Sequence, residues 1–151
     1  KMFESAAETA AVLAADDNTD FTEAFATYGR HLGIAFQLID DVLDYQGDAS
    51  ELGKNVGDDL AEGKPTLPLI YTIANGSNSQ AALIKDAIRS GGLDHLEEIV
   101  ETVRASGGLQ YTVDKAAEHT RLALDAIAEV PASPYKESLT TLAQESLNRT
   151  F

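Results

Sequence analysis

The residues best suited to chemistry form a short run, Gln37 to Asp44, inside an otherwise apolar stretch. At about 100° of rotation per residue, a helix places Gln37, Asp40, Asp41 and Asp44 within an arc of roughly 100°. Three carboxylates this close repel one another and are costly to bury unpaired. Mg²⁺ removes that cost, because it binds oxygen ligands while keeping waters and phosphate oxygens. The spacing therefore favours a Mg²⁺ site. A solvated acidic helix face is the alternative.

Two other acidic runs have a similar order of residues. Asp16 to Asp20 spells Asp-Asp-x-x-Asp, but it falls in a predicted turn, and Asp20 is the predicted cap of the next helix. We therefore interpret this run as structural. Asp58 to Glu62 has nearly the same spelling on a predicted loop. Its sequence allows a place beside the carboxylate site, and direct metal binding by it is the weaker alternative.

Two lysines follow the acidic run, each directly after a glycine. They are Lys54 after Gly53 and Lys64 after Gly63. A lysine ammonium is a compact donor suited to phosphate oxygens, and a neighbouring glycine lets the backbone approach a ligand closely. Either lysine alone is typical of a surface charge. Together with carboxylates on a buried helix, the pair indicates a metal-bridged diphosphate.

The elements that must position these residues are predicted to be helices. Apolar residues recur at three- and four-residue steps, and no stretch alternates strictly enough to be a strand. The helix that carries the acidic run begins at Asp20, with a capping box to Glu23, and is apolar on most of its circumference, as a central helix is. Residues 47–64 predict a loop with one short helical turn, and Pro65 suits the first position of the next helix. The other predicted helices are 1–15, 65–75, 79–90, 93–105, 109–129 and 134–148. We expect one all-α segment over 1–151.

Composition excludes several classes of function. The chain has 151 residues, with 11 Lys and Arg against 25 Asp and Glu, and a net charge of −14. Such a field repels nucleic acids and anionic membranes. There is no cysteine, which excludes disulfides, zinc–thiolate sites and thiol catalysis. No transmembrane segment or signal peptide is recognised, so we expect a cytoplasmic protein.

Two long segments resemble a known family. Residues Gly33–Tyr45 are similar to the second aspartate-rich motif of the trans-isoprenyl diphosphate synthases. Residues Gly53–Leu69 are similar to the segment that follows it in bacterial long-chain members. The resemblance implies that this chain is the C-terminal half of an isoprenoid-synthase helical bundle. The first aspartate-rich motif and the isopentenyl diphosphate site of the family would precede it.

The resemblance also implies an activity. Family members use Mg²⁺ to condense an allylic prenyl diphosphate with isopentenyl diphosphate, giving a long-chain trans-polyprenyl diphosphate such as a quinone side chain, and they are generally homodimers. By position, Asp40 would be the catalytic Mg²⁺ ligand, with Asp41 and Asp44 as ligands or as partners of the bound waters. The residues that would hold the allylic diphosphate are Gln37, Lys54 and Lys64, Lys54 also being counted as catalytic. We expect the fragment alone to be inactive.

The sequence also allows two other interpretations. One is a different terpenoid enzyme on the same fold, against which the uninterrupted segment Gly53–Leu69 argues. Another is a non-catalytic partner subunit of a synthase, against which the intact acidic and basic residues argue. Gly29 and Gly33, inside the long helix, favour close helix packing over room for a prenyl tail. The same helix is predicted to expose an apolar face around Phe36 and Ile39.

Overall fold

The computed structural model describes residues 1–14, 18–46, 57–90 and 95–149. Within these ranges all regular secondary structure is helical, and no strand occurs. The all-α prediction is confirmed. The α-helices are α1 (Met2–Ala14), α2 (Thr19–Leu43), α3 (Asp58–Ala61), α4 (Leu67–Asn75), α5 (Asn78–Ser90), α6 (Leu96–Ser106), α7 (Gly108–Ala126) and α8 (Pro134–Leu147).

Two helix starts differ from the sequence prediction. Helix α2 is capped by Asn18, whose Oδ1 accepts a hydrogen bond from the Phe21 amide at 3.1 Å, so the capping-box prediction at Asp20 is wrong. Helix α4 has Thr66 at its N-cap position and Pro68 in its first turn, where Pro65 was expected at the first position. In both cases the helix starts within three residues of the predicted position, where neighbouring residues also suit a helix start.

The described helices group into two compact units. One unit comprises residues 1–39 and 115–149, and the other comprises residues 40–114, so that α2 and α7 each contribute to both. The expectation of a single segment over 1–151 stays a prediction. No helix in the described ranges is both long enough and apolar enough to cross a bilayer.

The first unit has a core made by α2, α7 and α8. Its buried residues are Tyr28, Leu32, Ala123, Ile127 and Ala143. The hydroxyl group of Tyr28 donates a 2.8 Å hydrogen bond to the carbonyl oxygen of Leu139, which satisfies the polar atom of a buried ring. Desolvation by this burial raises the pKa of Tyr28 to about 12. The tyrosine therefore stays neutral and anchors α2 to α8.

Helices α1 and α2 approach closely at two glycines. A Cβ atom added at Gly29 would meet the backbone oxygen of Phe3 and lie 2.9 Å from the Cβ of Ala7. The close-packing interpretation of Gly29 is therefore confirmed. Phe36 lies about two helical turns after Gly29 and packs against Phe3, with ring centroids 5.2 Å apart. Ile39 is only 4% exposed. The prediction of an exposed apolar face at Phe36 and Ile39 is wrong, because α1 occupies part of it and Ile39 is buried.

This close approach gives a stability prediction. We expect Gly29→Ala to lower the free energy of unfolding by about 1–2 kcal/mol, because overpacking against a backbone atom outweighs the helix propensity gained. Gly33→Ala is the matched control, since the three atoms nearest to its Cβ would all belong to the side chain of Phe3, at 3.1–3.3 Å, and that side chain can shift. Urea unfolding followed by circular dichroism measures both. Equal stability of the two variants would remove the steric argument.

The second unit is built around α4, which packs against α5 and α6. Its core is aliphatic apart from one aromatic residue, Tyr45, which directly follows the acidic run. The fully buried members of this core are Tyr45, Leu60, Leu69, Ile84, Ile99 and Val103. Because Tyr45 and Leu60 belong to this core, it fixes the chain on both sides of residues 47–56.

Candidate functional site

The acidic run lies at the C-terminal end of α2. The helix ends at Leu43, but the Asp44 amide still donates to the carbonyl oxygen of Asp40 at 3.1 Å, so the helical register continues to Asp44. Asp41 is 8% exposed, Asp40 and Asp44 are partly buried, and Gln37 is exposed. The predicted arc of carboxylates is thus formed on a helix end that is partly buried. This burial does not fit the alternative of a solvated acidic helix face.

Tyr45 holds the end of this helix in place. Its side chain is fully buried, and its hydroxyl group lies 3.5 Å from Oγ1 of Thr66. Burial raises the pKa of Tyr45 far above its usual range, so the ring is neutral. The guanidinium group of Arg104, on α6, donates a 2.9 Å hydrogen bond to the carbonyl oxygen of Tyr45. These contacts fix the backbone immediately after Asp44.

The carboxylate of Asp44 faces the beginning of α3. The Gly57 amide donates to the Asp44 carbonyl oxygen at 3.1 Å, and the amides of Asp58 and Asp59 donate to its carboxylate. Gly57 has a φ of +88°, a left-handed conformation that suits glycine and lets this turn form. The segment Asp58–Glu62 therefore begins beside the acidic run, as its sequence allowed.

One oxygen of Asp44 is left over. Its Oδ2 atom is buried and has no hydrogen-bond partner in the described part of the chain. Desolvation, and next the negative charge of Asp59, raise the pKa of the Asp44 carboxyl to about 6, although the amides of Asp59 and Asp58 oppose the rise. Without a nearby cation, the ionised form of Asp44 is therefore destabilised relative to the protonated form. A protonated Asp44, or an Asp44 near a bound metal ion, is stabilised.

This shift predicts a pH dependence. The folded pKa lies above the ordinary value of 3.8, so the stabilisation is complete below pH 3.8 and is lost as pH rises through about 6. Because the group is only half-buried, we expect an effect of about 1 kcal/mol, or roughly 2–4 °C. In metal-free buffer at pH 8, Asp44→Asn should melt that much higher than the wild type and show less change between pH 8 and pH 5. A lower melting temperature for this variant at pH 8 would contradict the prediction.

The ammonium group of Lys64 is already paired with two carboxylates. Its ammonium nitrogen lies 2.9 Å from Oδ1 of Asp59 and 2.6 Å from Oε2 of Glu62, and these two carboxylates raise its pKa. The side chain is 55% exposed. A diphosphate would have to compete with both carboxylates, or bind together with a cation that neutralises them. Substrate binding by Lys64 stays a prediction.

Other predicted residues lie outside the described ranges. These are Lys54, with Gly53, and the turn residues Asp16 and Asp17. Within the described ranges, no three His, Cys, Asp or Glu side chains converge closely enough to hold a metal ion by themselves. Asp40, Asp41 and Asp44 thus share one helix end without forming a closed three-carboxylate cage. Their roles as ligands stay predictions.

Comparison with known proteins identifies the family. The Polyprenyl synthetase family model matches residues 1–104. The chain belongs to the polyprenyl synthetase family. Among curated relatives it is 45% identical, over 152 residues, to an octaprenyl diphosphate synthase of Haemophilus influenzae, covering 100% of this chain and 46% of that protein. The chain thus spans about half the length of the curated relatives it matches.

Solved structures of the family share this fold. A polyprenyl synthase from Caulobacter crescentus, in complex with calcium and isoprenyl diphosphate, matches with a TM-score of 0.87 and 40% identity, over 98% of this chain and 45% of that one. A geranylgeranyl pyrophosphate synthase from Corynebacterium glutamicum, with isoprenyl diphosphate and magnesium, matches with a TM-score of 0.77 and 29% identity, over 88% of this chain and 39% of that one. The implied fold, a part of an isoprenoid-synthase helical bundle, is confirmed.

Sequence reasoning missed two supports of the site in this polyprenyl synthetase chain. One is Arg104, which lies 59 residues after the carbonyl that it binds. The other is the pair of backbone amides at Asp58 and Asp59. Sequence reasoning considered the carboxylates of these residues as metal ligands and did not consider their amides as donors. A glycine directly before two aspartates at a helix start was the available signal, since that pattern fits a turn that presents amides.

Proposed function

We propose that this chain carries the metal- and diphosphate-binding part of a long-chain polyprenyl diphosphate synthase. The activity would condense an allylic prenyl diphosphate with isopentenyl diphosphate to give a trans-polyprenyl diphosphate of the kind used for quinone side chains. The observation that carries the proposal is the partly buried carboxylate group at the end of α2, with an Asp44 oxygen that has no partner in the described ranges. Family membership and the octaprenyl relative support it.

Mg²⁺ is the cofactor that suits this donor set. All the candidate donors are oxygens, and Mg²⁺ is usually held by one or two carboxylates together with waters and substrate phosphates. A closed three-carboxylate cage is therefore not required. The raised pKa of Asp44 indicates that a bound cation would stabilise its ionised carboxylate. The solved Corynebacterium glutamicum relative, whose description names magnesium and isoprenyl diphosphate, supports the same choice.

Each residue then has a distinct part. Asp40 would bind Mg²⁺ directly, and Asp41 would bind it or one of its waters. Asp44 would bind Mg²⁺ or one of its waters through Oδ2, which has no partner in the described ranges, while its carboxylate also accepts amides from the beginning of α3. The residues that would bind the diphosphate are Gln37, Lys54 and Lys64.

The reaction places one clear demand on these groups. The allylic C–O bond breaks and its electron pair leaves with the diphosphate, while the double bond of isopentenyl diphosphate forms the new C–C bond. Loss of a proton from the adjacent carbon then gives the trans double bond. Bound Mg²⁺ would stabilise the charge of the departing diphosphate, and lysine ammonium groups would add to this.

We further propose a cytoplasmic homodimer, for which light scattering of the complete enzyme should give twice the subunit mass.

A fusion synthase tests the proposal. In it, this chain replaces the matching 152 residues of the Haemophilus influenzae octaprenyl diphosphate synthase. We expect incorporation of radiolabelled isopentenyl diphosphate into prenyl product, loss of incorporation with EDTA, and recovery with added Mg²⁺. A folded fusion protein without activity would overturn the proposal and favour the non-catalytic subunit.

A further inference from the structure

Two histidines from different helices meet in the first unit. His31 lies on α2 and His119 on α7, 88 residues apart, and their Nδ1 atoms are 2.8 Å apart. The ring centroids are 5.0 Å apart and the rings are tilted by 30°. Both side chains are partly buried. The neighbouring core residues Leu32 and Ala123 pack the two helices together, so that this meeting is built into the fold.

The pair needs at least one uncharged ring. A short contact between two ring nitrogens requires a proton on one and a lone pair on the other. Burial lowers the pKa of His31, and the charges of His119 and Arg30 lower it further. Nearby on α7, Lys115 pairs with Glu118, while Arg30 on α2 pairs with Glu4. The contact itself therefore requires a lone pair on at least one Nδ1 atom, which is the form of imidazole that binds metals.

The distance suits one type of metal ion better than others. With metal–nitrogen bonds of 2.0–2.1 Å, two nitrogens 2.8 Å apart subtend an angle of about 86° at the ion. That is close to the right angle between neighbouring positions of square-planar or octahedral ions such as Cu²⁺ and Ni²⁺. A tetrahedral Zn²⁺ ion would need the nitrogens about 3.3 Å apart. Mg²⁺ is unsuited, because it prefers oxygen ligands.

The geometry points to a transition-metal site at these two residues: His31 and His119 bind one Ni²⁺ or Cu²⁺ ion through their Nδ1 atoms, with water completing the coordination. The tautomer with its proton on Nε2 frees both Nδ1 lone pairs, and metal binding replaces the hydrogen bond between the rings, each ring turning so that its lone pair points to the ion. Such an ion would link α2 to α7 and lies outside the carboxylate set at the end of α2. The site does not depend on the proposed function.

Titration of the full chain with NiCl₂ tests the site. By isothermal calorimetry at pH 7.5 we expect one ion per chain, with binding weakened by about tenfold or more in His31→Gln and in His119→Gln. His95→Gln is the matched control, because His95 is exposed and has only Glu98 near it, at 3.8 Å. Lowering the pH to 5.5 should weaken binding in the wild type, and MgCl₂ should not compete.

A second measurement requires no variant. Electron paramagnetic resonance of the wild-type chain with one equivalent of Cu²⁺ should show hyperfine splitting from two imidazole nitrogens. A spectrum with one nitrogen or none would overturn the proposal, as would equal Ni²⁺ affinity in the wild type and both variants. In that case the contact between His31 and His119 is a hydrogen bond and nothing more.

Discussion

Replacing Asp40 with asparagine in the fusion synthase is expected to lower kcat by about 100-fold or more. The amide keeps the shape of the side chain but removes the negative charge that binds the cation. Loss of a residue that only supports a metal ligand costs roughly 10–100-fold, so loss of a ligand should reach or exceed that range. Steady-state incorporation of isopentenyl diphosphate at several Mg²⁺ concentrations measures the effect, and the helical content should be unchanged.

The matched control is Asp20→Asn, on the same helix. Asp20 is exposed in the first turn of α2 and lies far along the helix from the acidic run. We expect its turnover and its Mg²⁺ dependence to equal those of the wild type. Wild-type turnover of Asp40→Asn at limiting Mg²⁺ would remove Asp40 from the metal site, even if the fusion synthase itself is active.

The second large effect concerns the 151 residues by themselves. We expect them to give no measurable prenyl transfer, even with abundant Mg²⁺ and both substrates, whereas the fusion synthase is active. Holding two reactants in position contributes roughly 7–11 kcal/mol to catalysis. The resemblance assigns the isopentenyl diphosphate site to the preceding half of the family's chain. Without that site, the allylic diphosphate has no partner held against it.

Radiolabelled product is the measure, with the fusion synthase as positive control in the same buffer. An equimolar mixture of this chain and the separately purified remainder of the Haemophilus influenzae relative is a further comparison. Prenyl product from the purified chain alone would show that the second substrate binds within these 151 residues and would overturn the prediction.

The order of helices could be predicted from the sequence, because apolar periodicity is a local property. The observed helices Asn78–Ser90 and Pro134–Leu147 begin and end within one residue of the predicted ranges. The caps were harder. Asn18 and Asp20 are both good cap residues two positions apart, and local chemistry does not separate them. The burial of Ile39 was also missed, since it depends on how helices far apart in sequence meet.

The candidate site divides in the same way. The common face of Asp40, Asp41 and Asp44 follows from their spacing on one helix, and the family resemblance follows from long motifs. The contact of Asp44 with the start of α3 does not, because twelve residues separate its two sides, ten of them outside the described ranges. The hydrogen bond from Arg104 to Tyr45 is also non-local. The pairing of Lys64 with Asp59 and Glu62 was likewise not foreseen, although all three lie within six positions.

The hydrogen bond between Asp44 and Gly57 has a consequence for how the family can vary. It joins the two points at which residues 47–56 leave and re-enter the described chain, so the folded end of α2 is closed without them. Closing a loop costs only about 0.6 kcal/mol more when its length doubles. Insertions between Gln46 and Gly57 are therefore inexpensive to the fold, and the length of this segment can change without loosening the end of α2.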